Sequence, residues 1–84
     1  MKIYYHSQFF KSYKFLDGNI KRKSEIKEKI FRINPFHPSL KIHKLSGKLK
    51  NQWSFSVDDK HRILFEFDND DVIFFDIGAH EIYK

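Results

Sequence analysis

The sequence predicts an α+β domain, a helical hairpin packed on an antiparallel β-sheet in the order β-α-α-β-β-β. Three observations carry that reading. Residues 7–33 repeat their apolar positions at helical spacing, broken once at Asp17–Gly18–Asn19. Residues 52–77 alternate apolar and polar positions, with Asp-rich breaks at 58–59 and 68–70. Between the two halves stand Pro35 and Pro38, where one period gives way to the other. Runs of period 3.6 followed by runs of period 2 describe helices on a sheet.

Met1–His6 is a short β-prone run and forms the first predicted strand. Ser7 follows as a helix cap, its hydroxyl accepting a backbone N–H. Phe9, Tyr13 and Leu16 then form one apolar stripe, with Phe10 beside it. Gly18 suits the left-handed position after a helix end, and Asn19 suits the next N-cap. Ile20–Ile33 reads as the second helix, its apolar edge drawn from Ile26, Ile30 and Ile33 with help from Ile20 and Phe31. Lys21, Arg22, Lys23, Lys27, Lys29 and Arg32 make its outer face basic. Asn34–Pro35 ends it, because a residue before proline is pushed out of helical geometry. Lys41–Leu45 reads as a short strand or an extended loop, and Ser46–Gly47 as a turn. Gln52–Val57 sends Trp53, Phe55 and Val57 to one face and Ser54 and Ser56 to the other. Arg62–Phe67 does the same with Ile63, Phe65 and Phe67. Asp68–Asn69–Asp70 is a hairpin signal, and Asp71–Ile77 is apolar enough to be covered on both sides.

At 84 residues the chain reads as a single domain, 1–84. A domain of that size buries only about 60–65% of the surface its unfolded chain exposes. Ten Phe and an aromatic fraction of 18% supply the apolar area a small core needs. With no Cys there is neither a disulfide framework nor a thiolate site. The N-terminal run is too broken by polar residues for a signal peptide or a spanning helix, so the expectation is a cytoplasmic protein without a membrane partner. The formal charge is +5, unevenly spread. Residues 1–50 hold 13 Lys/Arg against 3 Asp/Glu, and residues 51–84 hold 3 against 8. A positive field of this kind draws phosphate backbones or an acidic protein.

Histidines stand at 6, 37, 43, 61 and 80, none at HExxH spacing. With three Gly there is no phosphate-cradling loop, and no Ser lies in a GxSxG setting. No metal or cofactor is expected. What remains is a set of polar groups at predicted strand ends: His43 and Lys44, Lys48 and Lys50, Lys60–His61–Arg62, and the closing run Gly78–Tyr83. Arg and Lys hold a phosphate and stabilise the extra charge of a pentacoordinate state. A histidine exchanges protons near neutral pH, and a tyrosine stacks on a base or positions a proton. Metal-free RNA cleavage needs these roles, because the 2′-hydroxyl of the RNA is the nucleophile. Each residue also has an ordinary structural reading. Arg62 can pair with Glu66 or Asp76, His43 and His61 can be surface histidines, and Tyr83 can pack on the core.

Taken together, Asn34–Leu40 (NPFHPSL), His43–Gly47 (HKLSG), Trp53–Ser54, Arg62–Phe65 (RILF) and Asp76–His80 (DIGAH) resemble the RelE/ParE toxin superfamily. The likeness runs over nearly the whole chain and is nearest to the YafQ-like and RelE/StbE-type messenger RNA interferases. It implies a toxin of a type II toxin–antitoxin system: a metal-independent endoribonuclease that cuts messenger RNA on the ribosome. It also implies a cognate antitoxin as partner, through which the pair meets operator DNA. By position, His43 matches the histidine of an H-x-L-x-G motif near the active site. Arg62 matches the strand arginine that contacts the scissile phosphate. His80 matches a C-terminal acid/base histidine, and Tyr83 the terminal aromatic. Lys44, Lys48, Lys50 and Lys60 are then the lysines that hold the RNA backbone. This chain departs from the pattern in three places. Tyr83 stands three residues after His80 instead of four. Lys60–His61 stands where relatives carry Asp and an aromatic, making His61 a substitute acid/base candidate. Ser56 occupies the place of a histidine that some YafQ-like enzymes use. Two other readings share the fold: a ParE-type toxin that blocks DNA gyrase without cutting RNA, and a non-toxic binder with a basic face.

Overall fold

The computed structural model describes residues 1–47 and 51–83. Its elements in chain order are β1 (Ile3–Tyr5), α1 (Ser7–Tyr13), α2 (Gly18–Ile33), β2 (His43–Lys44), β3 (Trp53–Ser56), β4 (Arg62–Asp68) and β5 (Asp71–Gly78). Short 3-10 turns cover Pro38–Leu40 and His80–Tyr83. The two helices lie against a five-stranded sheet of order β1-β5-β4-β3-β2. The α+β class holds, and the expected β-α-α-β-β-β order gains one strand, because part of the Lys41–Leu45 segment, read as a short strand or an extended loop, pairs with β3 as β2. The sheet itself is mixed, because β1 pairs parallel with β5, Ile3 opposite Val72 and Tyr5 opposite Phe74. A three-residue strand has no local partner, so its direction is set by where the helices return the chain.

Local chemistry fixes the helix starts, one and two residues before the expected caps. His6, not Ser7, caps α1: its Nδ1 accepts the Gln8 N–H at 3.1 Å. Asp17, not Asn19, caps α2, its carboxylate accepting the Ile20 N–H at 3.0 Å. Gly18 is therefore the first helical residue and not a left-handed one. Asn34 closes α2 in an extended conformation, as its place before Pro35 requires.

The face of α2 that meets the sheet differs from the expected one. Ser24 and Phe31 are buried, and Ile20, Lys27 and Ile30 are half-buried. Ile26 and Ile33 are exposed, Ile33 at 87%. Phe31 takes the core seat, its ring 4.9 Å from Phe55, 5.0 Å from Phe65 and 5.6 Å from Phe74. Ile33 lies about 200° further round the helix and cannot share that face. Lys27 is likewise not a solvent-facing cation, since its ammonium donates to the Ser39 carbonyl at 3.1 Å. Phe9 on α1 packs on Phe74 and stacks with Tyr13, completing an aromatic core between helices and sheet. In β4–β5, Leu64 faces Asp76 and Phe65 faces Phe74, so Phe75 is an extra residue at a bulge. The bulge lets Phe74 and Ile77, three apart, both reach the core.

Tyr5 ties β1 to α2 by donating its phenol proton to the Glu28 carboxylate, which also pairs with Arg32 at 3.2 Å. Burial and then the Glu28 carboxylate push the Tyr5 phenol up to about 12 from 10.0, with Arg32 opposing. A raised phenol means the fold favours the neutral form. Its contribution to stability is complete below pH 10 and is lost as pH climbs through about 12. Tyr13, raised in the same direction by burial, adds to the same slope. The urea midpoint is expected to decline between pH 10 and 12, and to decline less steeply in Tyr5→Phe. An equal slope in both proteins would remove Tyr5 from the linkage.

Candidate active site

The alternation that sends Trp53, Phe55, Ile63 and Phe65 into the core sends Ser54, Ser56, Arg62 and Leu64 to the opposite face of the sheet. His43 stands opposite Ser54 across the β2–β3 pair and so shares that face. There Arg62 is held by three neutral acceptors. Its Nε–H donates to Ser54 Oγ at 3.0 Å, and one Nη2 hydrogen reaches the Lys41 carbonyl at 2.9 Å. The same Nη2 lies 3.2 Å from His43 Nδ1. Guanidinium only donates, so in this contact Nδ1 is the acceptor. Lys41 supplies its carbonyl from a left-handed backbone, φ 47°, just after the Pro38–Leu40 turn.

Tyr83 enters from the C-terminal turn, its O–H donating to the same Ser54 Oγ at 3.1 Å. The His80 ring stands edge-on to Tyr83, centroids 6.1 Å apart. The turn is brought here by Gly78, the register partner of Arg62. A Cβ on Gly78 would lie 2.6 Å from Glu81 Oε1 and 2.8 Å from Ile82 Cγ2, and Ile82 is buried. Only glycine lets the chain turn this closely against the sheet. The Glu81 carboxyl is held below its usual range by the N–H groups of Glu81 and Ala79, against some desolvation, with His61 and His80 adding to the effect.

The described ion pairs are Glu28–Arg32 and Asp58–His61, so neither Glu66 nor Asp76 neutralises Arg62 there. The guanidinium thus keeps its charge on a half-buried, polar face, the setting in which an arginine takes a phosphate.

His61 is turned elsewhere. Its Nδ1 is 3.0 Å from Asp58 Oδ1, which also accepts the His61 N–H at 2.7 Å. Burial acts to raise the Asp58 carboxyl, but the N–H groups of His61 and Lys60 and the His61 ring outweigh it and hold it low. The His61 ring borders a groove of about 460 Å³ between α1 and the end of β5, with Ser12, Leu16, Asp76 and Glu81. Lys60 stands exposed in the same turn beside Lys23, Asp58 and Asp59. Lys44 pairs with Trp53 and so takes the helix-side face, opposite to His43. Lys48 and Lys50 lie outside the described residues. The array therefore gathers His43, Arg62 and Tyr83, with His80 alongside, and leaves His61, Lys44 and Lys60 apart. Its hub, Ser54, is fully buried and was not singled out by residue chemistry. The signals for it in the sequence are its place on the polar phase of β3 and its place in the Trp53–Ser54 pair that shares in the family resemblance.

No family model matches the sequence, and no curated protein matches it. Solved structures do. A YoeB/ParE toxin from Agrobacterium tumefaciens superposes with a TM-score of 0.82 at 19% identity, over 95% of this chain and 99% of that one. YafQ from E. coli strain BL21(DE3) gives 0.81 at 20% identity, over 98% and 96%. A chain of the E. coli DinJ-YafQ complex gives 0.70 at 22% identity, over 96% and 94%. The two helices on a five-stranded mixed sheet are the RelE/YafQ-type fold.

Proposed function

We propose that this chain, built on the RelE/YafQ-type fold, is the toxin of a type II toxin–antitoxin pair and a metal-independent endoribonuclease acting on messenger RNA at the ribosome. The observation that carries the reading is a guanidinium, Arg62, that pairs with no carboxylate among the described residues, is hydrogen-bonded to His43 and is joined through Ser54 to Tyr83. In this reading Arg62 grips the scissile phosphate and stabilises the charge that builds on it. One imidazole takes the proton from the 2′-hydroxyl as its oxygen attacks phosphorus. The other returns a proton to the departing 5′ oxygen. His80 and His43 fill these two roles, and Tyr83 orients a base. A cyclic 2′,3′-phosphate and a free 5′-hydroxyl result. His61, bound to Asp58, is assigned no step. The partner is an antitoxin, the role that the name of the E. coli DinJ-YafQ toxin-antitoxin complex supports by likeness, and operator DNA is met through that antitoxin.

The test is cleavage of messenger RNA during translation in a purified system, read by primer extension. Wild type is expected to cut within coding sequence and His80→Ala to cut about 10²–10⁴-fold more slowly, the range general acid–base catalysis supplies. Wild-type protein that cuts no RNA but blocks gyrase supercoiling would replace the nuclease reading with the ParE-type one.

A further inference from the structure

Ser54 is the point at which three parts of the chain meet. It comes from β3, Arg62 from β4 and Tyr83 from the C-terminal turn, and its side chain has no solvent exposure. Water therefore cannot replace what it offers. Its oxygen accepts from Arg62 Nε at 3.0 Å and from the Tyr83 hydroxyl at 3.1 Å. A hydroxyl has two lone pairs and one proton, so both acceptor sites are filled and the proton is left to give.

We infer that Ser54 is a positioning residue that holds the Tyr83 phenol and the Arg62 guanidinium in one register. This rests on the nuclease reading for its catalytic consequence, though not for its geometry. Alanine cannot hold them. It leaves the Arg62 Nε–H and the Tyr83 O–H facing a methyl group, and Arg62 keeps only the Lys41 carbonyl and His43. Threonine retains the hydroxyl and suits a strand.

The experiment compares wild type with Ser54→Ala, Ser54→Thr, Tyr83→Phe and the Ser54→Ala/Tyr83→Phe double variant. Two quantities are read: translation-coupled cleavage, and hydrogen exchange at the Arg62 Nε–H by side-chain nitrogen NMR. Ser54→Ala is expected to slow cleavage by about 10²-fold, the penalty of a small misplacement of catalytic groups. Ser54→Thr restores most of it. The double variant cleaves no more slowly than the poorer single one, because both mutations break the same link. Exchange at Arg62 Nε–H is about tenfold faster in Ser54→Ala than in wild type, the equivalent of one charge-assisted hydrogen bond, and slow in Ser54→Thr. Wild-type exchange in Ser54→Ala, or strictly additive losses in cleavage, overturns the inference. If wild type itself cuts no RNA, the nuclease reading falls, and the exchange measurement alone decides whether Ser54 anchors Arg62.

Discussion

Arg62→Ala lowers translation-coupled cleavage by about 10²–10³-fold, the loss seen when one preorganised donor is taken from a developing anion. The side chain is not part of the buried core, so the fold survives the change. What disappears is the guanidinium of the array, with its three hydrogen bonds to Ser54, Lys41 and His43. Arg62→Lys is expected to recover little. An ammonium restores the charge but not the planar fork that reaches three acceptors in fixed directions. RNA binding provides a second measure. If Arg62 contacts a phosphate, removing it reduces the slope of log K against log salt by about 0.7, one single-strand charge. Cleavage at the wild-type rate, with the urea midpoint unchanged, would take the proposed mechanism away.

Phe31→Ala costs about 3–5 kcal/mol of folding stability, as large-to-small changes at buried aromatics do. Phe31 has no exposure, and its ring stacks on Phe55 and meets Phe65 and Phe74 edge-on. Removing it opens a void at the centre of the helix–sheet contact. Neighbours held in other aromatic pairs have little freedom to collapse into it. A domain has roughly 5–15 kcal/mol of stability in all, so the variant is expected to lose a large share of it and to show a much lower urea midpoint. The comparison is Ile33→Ala on the same helix, 87% exposed, which is expected to shift the urea midpoint hardly at all. Equal effects from the two substitutions would contradict the burial on which the fold rests.

That pair of residues also marks where sequence patterns stop being informative. A helix over 20–33 was legible from apolar spacing, and Ile20, Ile30 and Phe31 of its expected edge meet the core, but Ile26 and Ile33 face outward and Lys27, expected on the outer face, turns inward. Phe31 sets the buried face because a phenylalanine buries more apolar area than an isoleucine, and Lys27 follows it because it finds a carbonyl at Ser39. Neither partner is local. The caps shifted for a milder reason: Ser7 and Asn19 are good cap residues, but His6 and Asp17, one and two positions earlier, have acceptors that reach the helix N–H groups first.

The candidate site was half legible. Of the residues named from chemistry and from family resemblance, Arg62 bonds to His43 and shares Ser54 with Tyr83, and the His80 ring stands 6.1 Å from that of Tyr83. His61 lies next to Arg62 in sequence but is held by Asp58, three residues before it. Lys44 lies next to His43, yet strand alternation carries it to the other face. In a strand, adjacency in sequence separates side chains, whereas register across strands unites them.

From its residues alone, then, the chain determines its class, its element order, the breaks at Asp17–Gly18 and Asn34–Pro35, and the inward phase of β3 and β4. These depend on periods and backbone restrictions that act over a few residues. Only the tertiary structure decides that β1 runs parallel beside β5, which face of α2 is buried, and that Ser54 links Arg62 to Tyr83. Those depend on contacts between segments tens of residues apart, whose energies are set by which surfaces the folded chain brings together.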